Sequence, residues 1–328
     1  MPRCRRKLPL GKPTPAAKGA TIPAPKVKHL PAENRSGLLF ALAGFAVLSV
    51  GDGVIKSMAG QWSPVAIAAL RFSIAAFGLG ALLAAREGTA AMRQMWRWPQ
   101  AGRGLALAVS STIFFTSLFV LPLATATALG FTSPMFAALF AAILLGEPAR
   151  KETWIASAVA FIGVLIVLRP NLVEAGWWAV LPVFSAMTFA LLIIGNRYVA
   201  GQASGLAMQF VVAAYAAPIL LVATPLFALT GIERFAVGMP DRSIVVRCAV
   251  VALTASCAHW LVYLGTTRAG AAKVAPMSYI QLLVASVIGW GWFGDHPDGW
   301  TLLGAVIIIS AGLYLWRAGL VKEPAESE

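Results

Sequence analysis

Ten apolar stretches fill the chain: Leu38–Met58, Pro64–Ala84, Gly104–Leu123, Ala126–Leu145, Thr153–Leu168, Trp177–Asn196, Leu206–Leu229, Ile244–Gly265, Ala271–Phe293 and Trp300–Trp316. Each approaches the roughly 20 residues that an α-helix needs, at about 1.5 Å per residue, to cross a hydrocarbon layer about 30 Å thick. In lipid every backbone N–H and C=O must be bonded within the structure itself, and unbroken apolar runs of this length read as helices. Several contain Gly or Pro, which spanning helices tolerate when neighbours satisfy the freed backbone groups. The count is ten, with nine as the competing count because the fourth and fifth runs are closely linked.

Composition excludes the soluble alternatives. Hydrophobic residues make up 59% of the 328, charged residues 12%, and the mean hydropathy is +0.78. Soluble domains carry about 45–50% apolar and about 25% charged residues. The fold class is therefore all-α and polytopic, with the lipid bilayer as its surroundings. The net charge of +13 comes from 26 basic against 13 acidic residues. No basic patch interleaved with aromatics lies on a soluble module, so nucleic acid is not an expected partner. Cys4, Cys248 and Cys257, like His29, His259 and His296, lack metal-ligand or disulfide spacing, and neither metal nor cofactor is expected.

Residues 1–36 are rich in Pro, Lys, Arg and Ala and hold nine of the bases. They read as a disordered cytoplasmic tail attracted to anionic lipid, with an organellar transit peptide as the alternative. A signal peptide does not fit, because the first apolar run begins too late and is too long. Residues 319–328 form a second, short tail. The positive-inside rule then sets orientation. With the tail inside, Arg86, Arg93, Arg97, Arg103, Arg150, Lys151, Arg197, Arg268, Arg317 and Lys322 share its side, against Lys56, Arg169, Arg234 and Arg242 opposite. Both termini are expected to be cytoplasmic.

An internal repeat runs through the pattern. The fourth run ends in Leu-Gly-Glu-Pro (Leu145–Pro148), the ninth in Phe-Gly-Asp-His-Pro (Phe293–Pro297). Gly163 follows Gly146 by 17 residues, Gly312 follows Gly294 by 18, and an aromatic (Phe131, Tyr279) stands 15 before each turn glycine. The unit is five spans long. A duplicated odd-numbered unit inserts its copies in opposite directions, as in many secondary transporters.

"SPMFAALFAAILLGEPARKETWIASAVAFIGVLIVLRP" and "YIQLLVASVIGWGWFGDHPDGWTLLGAVIIISAGLYL" resemble the ends of two EamA repeats of the drug/metabolite transporter superfamily, and "GDGVIKS" and "ALRF" resemble the start of the first. The likeness divides the chain into residues 37–170 (spans 1–5) and 176–318 (spans 6–10). It implies a secondary transporter of the inner membrane that moves a small organic metabolite, such as an amino acid, by alternating access. It also implies a cavity ringed by spans 1–4 and 6–9, with spans 5 and 10 outside. Span 7 departs from the pattern, having no arginine where span 2 carries Arg71.

Intramembrane charge marks the candidate site, because it is costly in lipid and usually serves a pathway or an ion pair. Asp52 lies about 9 Å below the outer end of span 1 and Arg71 about 10 Å below that of span 2. They read as a charged pair, either lining the cavity or purely structural. Gly51 and Gly53 beside Asp52 permit either an unwound backbone or close packing. Lys56, Arg247 and Lys273 are expected to snorkel to the interface. Ser110, Ser111, Thr112, Thr116 and Ser117 of span 3 are expected to bond back to their own helix. Further substrate-binding or gating candidates are Phe131 and Ser133 (before Pro134) in span 4, Tyr279 and Gln281 in span 9, and His259 and Trp260 (near Tyr263) in span 8. No catalytic residues are assigned. "SVGD" at Ser49–Asp52 lacks the GxGD of intramembrane aspartyl proteases, and HExxH and Walker patterns are missing. A polytopic intramembrane enzyme centred on Asp52 and Arg71 is the alternative, with a membrane sensor behind it.

Overall fold

The computed structural model describes residues 31–89, 92, 98–144, 151–199, 202–269 and 274–320. The Leu145–Pro148 turn, Arg93, Arg97, Arg150, Lys273, Lys322 and most of both tails lie outside the described residues. The α-helices described are α1 (Pro31–Lys56), α2 (Pro64–Glu87), α3 (Trp98–Leu118), α4 (Leu123–Gly130), α5 (Ser133–Leu144), α6 (Lys151–Ala175), α7 (Leu181–Tyr198), α8 (Gly205–Ala228), α9 (Arg242–Ala269), α10 (Ile280–Ile288) and α11 (Gly299–Leu320). Among the described residues seven helical stretches are long and apolar enough to cross a membrane. Three shorter apolar helices, Trp154–Arg169, Met277–Phe293 and Gly299–Tyr314, accompany them.

The outside of the bundle is apolar. Phe77 is 83% exposed, Val222 64% and Val246 62%. A water-soluble surface does not carry so many bare Leu, Val and Phe side chains, whereas lipid accepts them. The chain is a multi-pass membrane protein.

Small residues draw the helices together. Gly37, Gly44 and Gly51 recur every seventh residue of α1 and face α9. A Cβ on Gly44 would stand 2.8 Å from both the Ala258 carbonyl oxygen and Val262 Cγ2, and one on Gly37 would stand 2.8 Å from Ala269 Cβ. In lipid, where apolar burial between helices gains little, this close approach supplies the dispersion contact that holds them. As residue numbers rise along α1 they fall along α9, so the two run antiparallel.

The same arrangement recurs with the halves exchanged. α3 packs antiparallel on α7, where Ser110 Oγ donates to the Ser185 carbonyl (3.1 Å) and Ser185 Oγ donates to the Ser110 carbonyl (2.9 Å). α2 packs on α8 through Gly80 and Phe210, and α6 packs on α11 where Gly163 and Gly304 lie against each other's carbonyls. These four pairings are the most extensive in the bundle. First helix with third, third with first, second with second and fifth with fifth is the pattern of two units related by a two-fold axis. All four are antiparallel.

The fourth span is broken. α4 ends at Gly130 and α5 begins at Ser133, with the Phe131 N–H held by the Thr127 and Ala128 carbonyls at 3.3 and 3.2 Å. Pro134 opens α5 in the first turn, where its missing N–H costs nothing. In the second half, the 3-10 turn Ala275–Tyr279 leads into α10, and a π-turn, Gly289–Phe293, leads out of it. Gly294 stops that turn in the left-handed conformation (φ 66°), which glycine adopts without a Cβ penalty. Phe131 and Tyr279 sit at the corresponding breaks and touch edge to face, with ring centroids 5.2 Å apart. Gly312 leaves the room, since a Cβ there would fall 2.0 Å from Tyr279 Oη.

The backbone around Asp52 is not unwound, as α1 continues through Gly51 and Gly53 to Lys56. Gly53 instead admits Ile288 of α10, whose Cγ2 lies 2.8 Å from where a Cβ would stand.

Candidate functional site

Between the halves lies a cavity of about 690 Å³, lined by α2, α3, α7, α8 and α9. Its volume falls in the range, about 300–1,000 Å³, of small-molecule sites. Arg86, Glu87 and Ser204, all exposed, mark one end, and Arg71 and His259 belong to its depth. Helices of spans 2, 3, 6, 7 and 8 supply the lining residues, fewer than the eight spans the resemblance implies. α6 and α11 contribute none.

Arg71 holds its position by aromatic contact. Its guanidinium carbon lies 4.2 Å from the Phe72 ring centroid and 5.5 Å from that of Phe115, within cation–π range. Its Nε is buried and without a hydrogen-bond partner. Asp52 acts on Arg71 electrostatically, yet the expected ion pair is not formed among the described residues. The depths match, but Asp52 is not among the residues that line the cavity.

Arg103 was expected in a loop and is instead inside, with 5% of its surface exposed. Nε donates to Asn196 Oδ1 at 2.7 Å and Nη1 donates to Gln100 Oε1. Gly195 of α7 makes this possible, because a Cβ there would strike Arg103 Cγ at 2.7 Å. The surrounding groups are neutral amides, and no carboxylate pairs with Arg103 among the described residues.

At the opposite end from Arg86, Lys56 is held in an ion pair. Its ammonium lies 2.5 Å from Asp295 Oδ2, donates to the Leu121 carbonyl at 3.0 Å and stands 5.1 Å from the Phe293 ring centroid. The same carboxylate oxygen accepts the Leu123 N–H at 3.1 Å. One ion pair thus ties α1, the α3–α4 turn and the segment after the π-turn together. Arg247 is also engaged, donating 2.9 Å to the Ser57 carbonyl and 3.2 Å to Ser243 Oγ.

The remaining candidates divide into two groups. His259 and Trp260 line the cavity with Tyr263, whose ring centroid is 5.6 Å from that of Trp260. Phe131, Ser133, Tyr279 and Gln281 do not line it. They belong to the broken spans, where the Gln281 carbonyl accepts the Ser49 hydroxyl at 3.0 Å. Thr116 and Ser117 bond back to their own helix as expected, and Ser110 crosses to Ser185. Sequence reasoning missed Arg103 and Asp295. Arg103 stands one residue before an apolar run and reads as a flanking base. Asp295 was visible as the acid of a repeat turn at the same membrane face as Lys56.

Comparison with known proteins agrees with this architecture. The EamA-like transporter family matches residues 35–169 and again 176–317. The riboflavin transporter of Rhizobium johnstonii is 30% identical over 240 residues, covering 73% of this chain and 76% of the relative. The S-adenosylmethionine uptake transporter of Rickettsia bellii is 28% identical, covering 65% of this chain and 70% of its own length. The pseudopaline exporter of Pseudomonas aeruginosa is 28% identical, covering 86% and 96%. A solved crystal structure at 20% identity shares the fold with a TM-score of 0.54, over 90% of this chain and all of that one. A profile matched twice along the chain, antiparallel helix pairs between the two parts and a central cavity converge: the chain belongs to the EamA-like transporter family.

Proposed function

We propose that the protein is a secondary transporter that carries a small organic metabolite across the inner membrane by alternating access. The carrying observation is a central cavity bordered at one end by exposed Arg86, Glu87 and Ser204, in a bundle whose halves are joined at the other helix ends by the Lys56–Asp295 ion pair. A cavity between two inverted repeats, with an ion pair across the halves at one face, suits a carrier that exposes its site to one side at a time. On this reading the chain makes ten spans, with halves at residues 37–170 and 176–318 and tails at 1–36 and 319–328. The distribution of basic segments supports cytoplasmic termini, with the cavity mouth on that side. Arg71, His259 and Trp260 are the substrate-facing residues, Asp52 sets the field at the deep end, and Phe131, Ser133, Tyr279 and Gln281 belong to the moving broken helices. Relatives named for riboflavin, S-adenosylmethionine and pseudopaline support a small organic cargo, and uptake and export names together leave direction to experiment. The family relationship removes the reason to favour an intramembrane enzyme.

Cys257, exposed on the cavity wall, provides the test. In protein with Cys4 and Cys248 replaced by serine, an impermeant thiol reagent should label Cys257 from the cytoplasmic side of inverted vesicles. It should label it far less from the other side. Equal labelling from both faces, or from the outer face alone, overturns the assigned polarity. Failure of reconstituted protein to exchange any metabolite overturns transport.

A further inference from the structure

The charge of the cavity points to the charge of its cargo. Its lining holds three arginines, Arg71, Arg86 and Arg103, against one acid, Glu87, whose carboxylate is already engaged by the Ser204 hydroxyl at 2.7 and 2.9 Å. Neither Arg71 nor Arg103 has an ion-pair partner among the described residues, although both lie within the membrane-spanning helices. Arg71 keeps a buried Nε without an acceptor, flanked by the faces of Phe72 and Phe115. Asp52 acts on Arg71 electrostatically without forming an ion pair with it, and a guanidinium with no direct carboxylate partner in such surroundings is costly to maintain. The cost is offset when an anion arrives and is bound through parallel N–H···O bonds.

Spacing separates the two cations. Arg71 touches Phe115 on α3, and Arg103 lies 12 residues earlier on the same helix, about 18 Å away along its axis. Arg103 therefore belongs nearer the mouth and Arg71 deeper, beside His259 and the Trp260–Tyr263 pair of rings. Those rings offer a broad apolar face next to the deep cation.

We propose, on the basis of the transporter reading above, that the cargo is a small organic anion, with a carboxylate or phosphate group paired by Arg71 and a planar or apolar body against Trp260. Arg103 is the outer station, attracting the same group on its way in from the mouth. Arg86, exposed at the mouth, adds to the positive potential that concentrates anions there.

The experiment uses the full-length protein in proteoliposomes given a bacterial metabolite extract, with transported compounds identified by mass spectrometry. Species carrying a net negative charge at neutral pH should dominate, and the same spectra distinguish carboxylates from phosphates. Arg71→Gln should lower their flux at least tenfold, Arg71→Lys should retain part of it, and Arg103→Gln should raise the half-saturating concentration more than it lowers the maximal rate. A matched probe set isolates charge from shape: indole-3-acetate should slow flux of the transported anion more than indole-3-acetamide or tryptamine does. Arg71→Gln should abolish that order, a change that mere loss of folded protein does not produce. Transport of neutral or cationic compounds only, or an undiminished preference for anions in Arg71→Gln, overturns the anion assignment and leaves the transporter intact. No transport of any compound overturns both.

Discussion

The Lys56 ammonium and the Asp295 carboxylate meet at 2.5 Å with side chains only 12% and 17% exposed. They lie 239 positions apart, one in each half, and are the sole ion pair among the described residues. The pair draws in two backbone groups of the α3–α4 turn, so breaking it releases three segments at once.

Lys56→Gln or Asp295→Asn should therefore loosen this face. A hydrogen bond to a charged group contributes about 1.5–3 kcal/mol, or roughly tenfold to a hundredfold in an equilibrium at about 1.4 kcal/mol per decade. Labelling of Cys257, on the cavity wall, from the Asp295 side should rise by at least about tenfold. The exchanged pair, Lys56→Asp with Asp295→Lys, should bring it back down. Unchanged labelling in both single variants removes the ion pair from the mechanism.

Gly44→Ala should cost stability because the new Cβ meets a carbonyl oxygen and Val262 at 2.8 Å, with backbone on one side. Overpacking of this kind costs about 1–3 kcal/mol. Thermal unfolding in detergent should show a lower midpoint and less protein should reach the membrane. Gly78→Ala, where nothing lies within 4 Å, is the control and should be neutral or slightly stabilising. Equal behaviour of the two variants refutes the close α1–α9 contact.

The Ser110–Ser185 exchange of hydrogen bonds joins the halves a second time. Interhelical hydrogen bonds in membranes average about 0.6 kcal/mol. Each serine-to-alanine change should be mild, and the double variant should lose less than the sum of the singles, because each removes the same contact. Strict additivity shows that the two side chains act separately.

Orientation is open to a direct check. A cysteine in the Gly294–Gly299 turn should react with an impermeant reagent outside the cell, and one in the Arg86–Arg103 loop should not. The reverse result inverts the membrane placement and with it the side on which the cavity opens.

Helical class was legible from apolar run length, because lipid leaves the backbone so few choices, and the doubling of the chain from its two spaced turn motifs. Phe131 and Tyr279 were matched by spacing alone, and they touch. Side-chain partners were far less legible. Lys56 carried the sequence signature of a snorkelling base, and only the fold brings Asp295 beneath it. Asp52 and Arg71 agreed in depth, but depth fixes one coordinate of three, and only Arg71 joins the cavity lining. Arg103 was hidden for a similar reason: its acceptors, Gln100 and Asn196, are neutral and leave no charge pattern to read.

The contact between Phe131 and Tyr279 has a geometric consequence. Two equivalent residues that touch must straddle the axis relating their halves, and whatever lies on that axis keeps its surroundings when the halves trade shapes. On the alternating-access proposal the ring pair is a fulcrum: Lys56 and Asp295 part for the opposite face to open, while Phe131 and Tyr279 turn in place. Truncating either ring should weaken both orientations alike, lowering turnover without favouring one side of the membrane.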